Sequence, residues 1–134
     1  MKRILIAYVA TGVTMAAMDS VWLTLAAPRL YRPLLGDMLL PGFNAAPAVL
    51  FYLLYIGGIV GLVVLPALAT RSRNAATARG ALLGLVAYGT YDLTNQATLK
   101  GWSTTVTVAD LCWGTFLTAF AATIGYAVTR ALRF

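Results

Sequence analysis

The sequence contains no histidine, and this absence excludes much of the chemistry that protein sites usually perform. Without histidine there is no histidine-ligated haem, no zinc site of the usual kind and no histidine acting as a general base. Cysteine occurs once, at Cys112. An internal disulfide is therefore impossible, and we interpret Cys112 as a small packing residue within a span. We predict neither a metal site nor a cofactor.

Charge is scarce as well. Only 10% of the 134 residues are charged and 60% are hydrophobic, whereas about a quarter of the residues in a soluble domain are charged. Apolar runs recur that reach the ~18 residues needed to cross the hydrocarbon layer of a bilayer. These features predict one all-α integral membrane domain, residues 1–134, whose main partner is the lipid bilayer.

Proline, glycine and charged residues divide the chain into four predicted spans of a four-helix bundle, at about residues 4–27, 44–69, 76–99 and 103–128. The first span begins as a signal peptide would. However, its apolar run is too long and holds Asp19, so we expect it to be retained. This span is predicted to end at Pro28, before a polar turn over residues 29–43. Proline and glycine in that turn argue against one continuous helix, although a short interfacial helix would fit.

Basic residues predict the direction of the spans. The ten Lys and Arg residues fall into two groups: Lys2, Arg3, Arg71, Arg73, Arg79, Arg130 and Arg133 on one side, and Arg29, Arg32 and Lys100 on the other. The positive-inside rule therefore predicts that both termini are cytoplasmic. We attribute the net charge of +6 to this topology and to attraction for anionic lipid headgroups, and we expect no nucleic-acid partner.

Two glycine pairs at a spacing of four predict close approach between helices. Gly57 and Gly61 form the pair in the second span, and Gly80 and Gly84 form the pair in the third. Such pairs allow backbones to pack closely where lipid removes the hydrophobic driving force between helices. We favour packing within the bundle, and a homodimer face is the alternative.

Three of the four acidic residues fall inside predicted spans: Asp19, Asp92 and Asp110. A helix rises ~1.5 Å per residue, which places Asp19 and Asp92 roughly 22 and 24 Å from the cytoplasmic edge. Asp110 enters from the opposite edge and lies about 10 Å below it. In a hydrocarbon core of about 30 Å, all three carboxyl groups share one level in the outer half.

Aromatic and polar side chains lie three or four residues from these aspartates, on the same helix faces. If the faces converge, they form a polar pocket that opens outward. The candidate residues for binding a ligand, a proton or a cation are Asp19, Asp92, Asp110, Asn95, Tyr52, Tyr55, Tyr88, Trp22 and Trp113. Two alternatives stay open: the carboxyl groups only hold helices together, and Trp22 is an interfacial belt residue. Asp19 and Asp110 each begin an Asp-x-x-Trp string, from which we infer no symmetry.

A further group of residues carries a family resemblance: Met18-Asp19 with Trp22, Tyr31 and Gly36; Phe51-Tyr52 with Tyr55 and Gly58; Tyr88-Gly89-Thr90-Tyr91-Asp92-Leu93-Thr94-Asn95; Lys100-Gly101-Trp102; and Asp110 with Trp113-Gly114. In these residues the chain resembles a family of small bacterial predicted membrane proteins, domain of unknown function 2177. The resemblance covers nearly the whole chain. It implies a four-span protein of the bacterial inner membrane and supplies no established activity.

Three functions are compatible with these residues. The first, which we favour, is binding or transport of a proton, a cation or a small solute, because carboxylates within a membrane mark such pathways. Four spans are few for a transporter, so this function implies a homo-oligomer or a larger complex. The second is a membrane-embedded enzyme acting on a lipid, with paired carboxylates as acid and base. The third is an accessory subunit of a larger membrane complex.

Overall fold

A computed structural model describes residues 1–40 and 44–132, and nearly all of them are helical. The chain forms four long helical segments, α1 (Lys2–Met38), α2 (Ala45–Thr70), α3 (Arg73–Thr98) and α4 (Thr104–Ala131). No strand occurs within the described residues. The prediction of an all-α four-helix bundle is confirmed.

Three of the four helices, α1, α2 and α4, are long and apolar enough to cross a membrane. Helix α3 has 26 residues and is long enough, at about 39 Å. It does not match the apolar character of the others, because it carries arginine, asparagine, glutamine and threonine. A membrane crossing by α3 therefore stays a prediction.

Helix α4 is the centre of the bundle and packs along both α1 and α3. Ala7 and Thr11 of α1 face Gly125 of α4, so the first and last parts of the chain lie together. We call this the termini end of the bundle. The opposite end contains the last turn of α3 and the first turn of α4.

Small residues explain how closely α3 approaches α4. Ala76, Gly80 and Gly84 recur every four residues on the buried face of α3. A Cβ atom at Gly84 would lie 2.2 Å from the carbonyl oxygen of Gly114, and one at Gly80 would lie 2.9 Å from Cα of Ala119. The expected close packing at this glycine pair is confirmed.

The other glycine pair behaves differently. A Cβ atom at Gly61 would meet open space, and one at Gly57 would be 3.9 Å from the Tyr8 ring, an ordinary contact. The expectation that Gly57 and Gly61 draw helices together within the bundle is therefore wrong. The reason is that α2 contacts its neighbours largely through the buried Val60, Val63 and Val64 of the π-helical turn Val60–Val64, whereas Gly61 in the same turn is exposed.

Helix α1 does not end at Pro28. Its α-helical part, Lys2–Ala26, continues through a π-helical turn, Ala27–Tyr31, and a short α-helical turn, Arg32–Leu35. Proline lacks a backbone donor and clashes with the preceding turn, and the wider π turn accommodates it. The helix is interrupted at Gly36, whose positive φ of 53° suits glycine. The predicted polar turn is thus helical up to Met38, and its residues 41–43 lie outside the described residues.

The outer surface is rich in exposed aliphatic side chains, as expected for a protein that faces lipid. Cys112 belongs to this surface. The expectation that it packs within the bundle is therefore wrong: position 112 lies on the side of α4 turned away from α1 and α3, whereas Gly114 faces α3.

The contact between Gly84 and Gly114 generates a stability prediction. Replacement Gly84→Ala inserts a methyl group against backbone, which cannot move aside as a side chain can. We expect the free energy of unfolding to fall by about 1–3 kcal/mol. Thermal unfolding of the purified protein in detergent would measure this change.

Gly58→Ala is the matched control, because a Cβ atom at Gly58 meets nothing within 4 Å. Alanine also favours a helix more than glycine does. We expect this variant to be as stable as the wild type or slightly more so. Equal melting temperatures for the two variants would contradict the packing described here.

Candidate functional site

Three aspartates from three helices meet inside the bundle. Asp19 of α1 and Asp110 of α4 are each 7% exposed, and Asp92 of α3 is completely buried. Asp110 interacts electrostatically with both Asp19 and Asp92. The structure therefore brings together the carboxyl groups that the sequence places at one depth.

Asp19 is held by donors from two other helices. The Tyr52 hydroxyl of α2 donates to Oδ2 of Asp19. The indole Nε1–H of Trp113 in α4 donates to Oδ1 at 3.1 Å. Both oxygens thus accept a hydrogen bond, which is the pattern that an ionised carboxylate requires. These bonds connect α1, α2 and α4 at the level of the carboxyl cluster.

Asp110 is held by a relay that starts on α1. The indole Nε1–H of Trp22 donates to the Tyr31 hydroxyl at 2.9 Å. The Tyr31 hydroxyl in turn donates to Oδ1 of Asp110. The rings of Trp22 and Trp113 are stacked, with centroids 4.7 Å apart and an interplanar angle of 9°. The Trp22 ring thus stacks inside the bundle on a tryptophan of α4.

The two Asp-x-x-Trp strings are therefore partners in space. The tryptophan of the α4 string binds the aspartate of the α1 string, and the tryptophan of the α1 string reaches the aspartate of α4 through Tyr31. The relation is reciprocal because the two helices run in opposite directions past each other. The sequence shows only two short strings.

Asp92 differs from the other two aspartates. Neither of its carboxyl oxygens has a hydrogen-bond donor within the described residues, although the side chain is fully buried. Its polar neighbour is the Asp110 carboxyl group. Two carboxyl groups form a hydrogen bond only when one of them carries a proton. A buried polar group without a partner needs a specific explanation.

The remaining candidate residues lie around the cluster without donating to it. The Tyr88 ring rests on Gly114, where a Cβ atom would lie 2.2 Å from the ring. Tyr55 shares a 2.7 Å hydrogen bond with Thr118. Asn95 lies beside Tyr91. Among the predicted aromatic residues, Tyr52, Trp22 and Trp113 belong to the hydrogen-bonded network of the cluster.

Comparison with known protein families identifies the chain. Residues 4–127 match the model of a family described as "Predicted membrane protein (DUF2177)". The chain belongs to this family. No curated protein and no solved structure matches it. The family description agrees with the apolar helices and carries no activity, so any function of this DUF2177 protein has to be argued from its own residues.

Tyr31 is the residue of the site that sequence reasoning misses. It was assigned to a polar turn beyond Pro28, outside the predicted span and at a different depth. The π turn Ala27–Tyr31 continues the helix and brings the hydroxyl of Tyr31 back to Asp110. The available signal is the resemblance to the DUF2177 family, which includes Tyr31.

Within the described residues, the side chains of the site do not form a set of metal ligands. Among the described residues of this DUF2177 protein, no group of three or more histidine, cysteine, aspartate or glutamate side chains is arranged so that it could hold a metal ion. The three aspartates are therefore best described as carboxyl groups linked by hydrogen bonds and by mutual electrostatic interaction.

Two tyrosines of α2 provide a matched test of this network. Tyr52→Phe removes the donor to a carboxylate, and Tyr55→Phe removes a bond to the neutral Thr118 hydroxyl. Hydrogen bonds to charged groups contribute about 1.5–3 kcal/mol and neutral ones about 0.5–1.5 kcal/mol. We therefore expect Tyr52→Phe to destabilise the protein more, as measured by denaturant unfolding in mixed micelles. The opposite order would show that Asp19 does not depend on Tyr52.

Proposed function

We propose that this membrane protein binds and releases a proton at the Asp92–Asp110 pair, and that this exchange serves binding or transport of a proton, a cation or a small solute. One observation carries the proposal. Asp92 is fully buried, has no donor within the described residues and faces a second carboxyl group. A proton is the smallest species that satisfies both carboxyl groups at once.

The cost of charge in the membrane supports this reading. An aspartate at the centre of a membrane helix costs about 2.5–3.5 kcal/mol on insertion scales. Two ionised carboxyl groups in contact would add their mutual repulsion to this cost. One shared proton removes a charge and replaces the repulsion with a hydrogen bond. Asp19 already accepts hydrogen bonds from Tyr52 and Trp113.

The relay on α1 supports exchange rather than permanent protonation. Tyr31 is only partly buried, whereas Asp110, to which it donates, is buried. The Trp22 indole donates a hydrogen bond to the Tyr31 hydroxyl but transfers no proton; the second lone pair of the hydroxyl can accept a proton from water while its own proton passes to Asp110. A hydroxyl in this position connects the carboxyl pair with the end of the bundle opposite the termini. We propose that protons enter and leave by this route.

A flux measurement tests the proposal. In proteoliposomes with an internal pH-sensitive dye, we expect the wild-type protein to conduct protons when a membrane potential is applied. Asp92→Asn keeps the shape of the side chain and its amide group donates to Asp110, so the protein should fold while the exchangeable proton is lost. We expect the flux to fall by about tenfold or more, because a fixed donor replaces the group that titrates.

Asp37→Asn is the matched control. Asp37 is the fourth acidic residue, lies in the exposed turn Gly36–Met38 and is remote in sequence from the cluster. Its replacement should leave the flux unchanged. The same vesicles, prepared with a sodium or a potassium gradient, show whether the protein conducts protons or a metal cation. Full flux in a folded Asp92→Asn variant would overturn the proposal.

A membrane-embedded enzyme acting on a lipid is the second candidate. The observation that favours it is the contact between two carboxyl groups on neighbouring helices, since such a pair can act as acid and base. The same Asp92→Asn variant distinguishes the two functions. A lipid that accumulates in cells carrying this variant, with proton flux unchanged, would favour the enzyme.

The location and assembly of the protein follow from the same proposal. We propose that it lies in a bacterial inner membrane with both termini in the cytoplasm, because most basic residues gather at the termini end. Since four helices are few for a transporter, we also propose that copies associate with each other or with a larger membrane complex.

Cysteine labelling tests the orientation. In a Cys112→Ser background, Asn74→Cys at the termini end should react with a membrane-impermeant maleimide only after the cells are permeabilised. Met38→Cys at the other end should react on intact cells. The natural Cys112, which faces lipid in the middle of α4, serves as the control and should stay unlabelled in both cases. Labelling of Asn74→Cys on intact cells would reverse the orientation.

A further inference from the structure

A second polar site lies at the termini end, remote from the carboxyl cluster. A wide-open surface cavity of about 480 Å³ is lined by Arg71, Ser72, Arg73, Asn74 and Tyr126. These residues belong to the turn between α2 and α3 and to the last part of α4. Asp92 follows Arg73 by 19 residues on α3, a distance of roughly 28 Å along the helix axis.

Tyr126 provides evidence that this cavity accepts a polar ligand. The side chain is only 6% exposed, so it is built into the bundle rather than placed at its surface. Its hydroxyl has no hydrogen-bond partner within the described residues, and it keeps some access to solvent. A buried tyrosine normally pairs its hydroxyl. Here Tyr126 lines the cavity, and its hydroxyl is left without a partner within the described residues.

The charges of the residues that line the cavity indicate the charge of its ligand. Arg71 and Arg73 supply two guanidinium groups, and none of the lining residues is acidic. The four acidic residues of the chain stand at positions 19, 37, 92 and 110, so no acidic residue lies in the stretch from 44 to 91 that contains this turn. The first turn of α3 adds backbone N–H groups and the positive end of a helix dipole. A ligand with concentrated negative charge complements these groups.

The backbone at Arg71 adds a further observation. Arg71 has a φ of 52° and follows the last turn of α2 in a left-handed conformation. Its N–H bonds to the carbonyl of Leu68, and the N–H of Ser72 bonds to that of Ala67, the pairing that ends a helix in a Schellman motif. Glycine is the usual residue at this position. The chain instead places an arginine side chain there, at the edge of the cavity.

We propose that this cavity binds a phosphate group, carried either by the headgroup of an anionic lipid or by a small soluble phosphate ester. Planar guanidinium groups match phosphate oxygens with paired hydrogen bonds. The Tyr126 hydroxyl supplies a third donor from the wall of the cavity. A volume of about 480 Å³ exceeds that of a phosphate ion, so a headgroup or an ester fits as well. This site is independent of the proposed proton exchange.

Native mass spectrometry of the purified full chain in detergent tests the proposal. The probes are phosphatidylglycerol and the phosphate-free diacylglycerol with identical acyl chains. We expect phosphatidylglycerol to be retained about tenfold more strongly if a lipid supplies the phosphate, since one charge-assisted bond is enough for such a difference. Inorganic phosphate and glycerol 3-phosphate, added separately, test the soluble source through competition and through a rise in melting temperature.

Two variants locate the effect. Arg71→Gly removes one guanidinium group and suits the left-handed backbone, so the fold should be retained while phosphate binding falls. Tyr126→Phe removes only the hydroxyl and should weaken binding by a smaller factor. Arg79→Gln is the control, because Arg79 is an exposed basic residue of α3 that does not line the cavity.

The outcomes separate the possible sources. Preferential retention of phosphatidylglycerol that Arg71→Gly abolishes and Arg79→Gln spares assigns the site to a lipid headgroup. Stabilisation by glycerol 3-phosphate with the same dependence on Arg71 assigns it to a soluble ester. Equal retention of both lipids without any effect of the soluble phosphates would overturn the proposal. An equal loss in Arg71→Gly and Arg79→Gln would also overturn it, since it would show only an effect of total charge.

Discussion

Burial of three carboxyl groups among apolar helices is the constraint around which this bundle is organised. Each buried carboxyl group needs donors that its own helix cannot supply, so the donors come from other segments. Asp19 takes them from α2 and α4, and Asp110 takes one from the π turn of α1. The stacked pair of Trp22 and Trp113 lies between these two arrangements. The hydrogen bonds that Asp19 and Asp110 accept are thus the same bonds that connect the helices.

Close packing of α3 on α4 completes the cluster. Gly84 lies against the backbone of Gly114, and the Tyr88 ring covers the same glycine. This approach carries Asp92, two turns further along α3, to the side of Asp110. A bulkier residue at either glycine would move the two helices apart and separate the carboxyl groups. Backbone packing and the chemistry of the acid pair are therefore one feature of the molecule.

The carboxyl cluster and the basic cavity lie in different parts of the bundle. The cluster of Asp19, Asp92 and Asp110 is acidic and is enclosed by aromatic side chains. The termini end is basic, and its cavity is lined by Arg71 and Arg73. This separation has a simple physical origin, since the basic residues favour anionic headgroups while the buried acidic residues need donors within the protein. The two proposed sites can therefore act without sharing any residue.

Much of the architecture could be predicted from the sequence, because the length and apolar character of a helix in lipid are properties of local composition. The helical class, the four segments and the common depth of the three aspartates follow from residue spacing alone. The structure departs from expectation where a π turn or the facing of a helix decides the result: α1 continues as a helix past Pro28, Gly61 meets open space, and Cys112 is exposed. Tyr31 was missed for the same reason, since a π turn shifts the register of every later side chain.

The sequence by itself determined that three aspartates fall within helices at a common level along the bundle, because each residue adds a constant rise along a helix. Only the tertiary structure decided which donors reach them. The reciprocal pairing of the two Asp-x-x-Trp strings and the lack of a donor at Asp92 depend on how the helices rotate and cross. Those angles are set by contacts such as the one between Gly84 and Gly114, which join residues far apart in the chain.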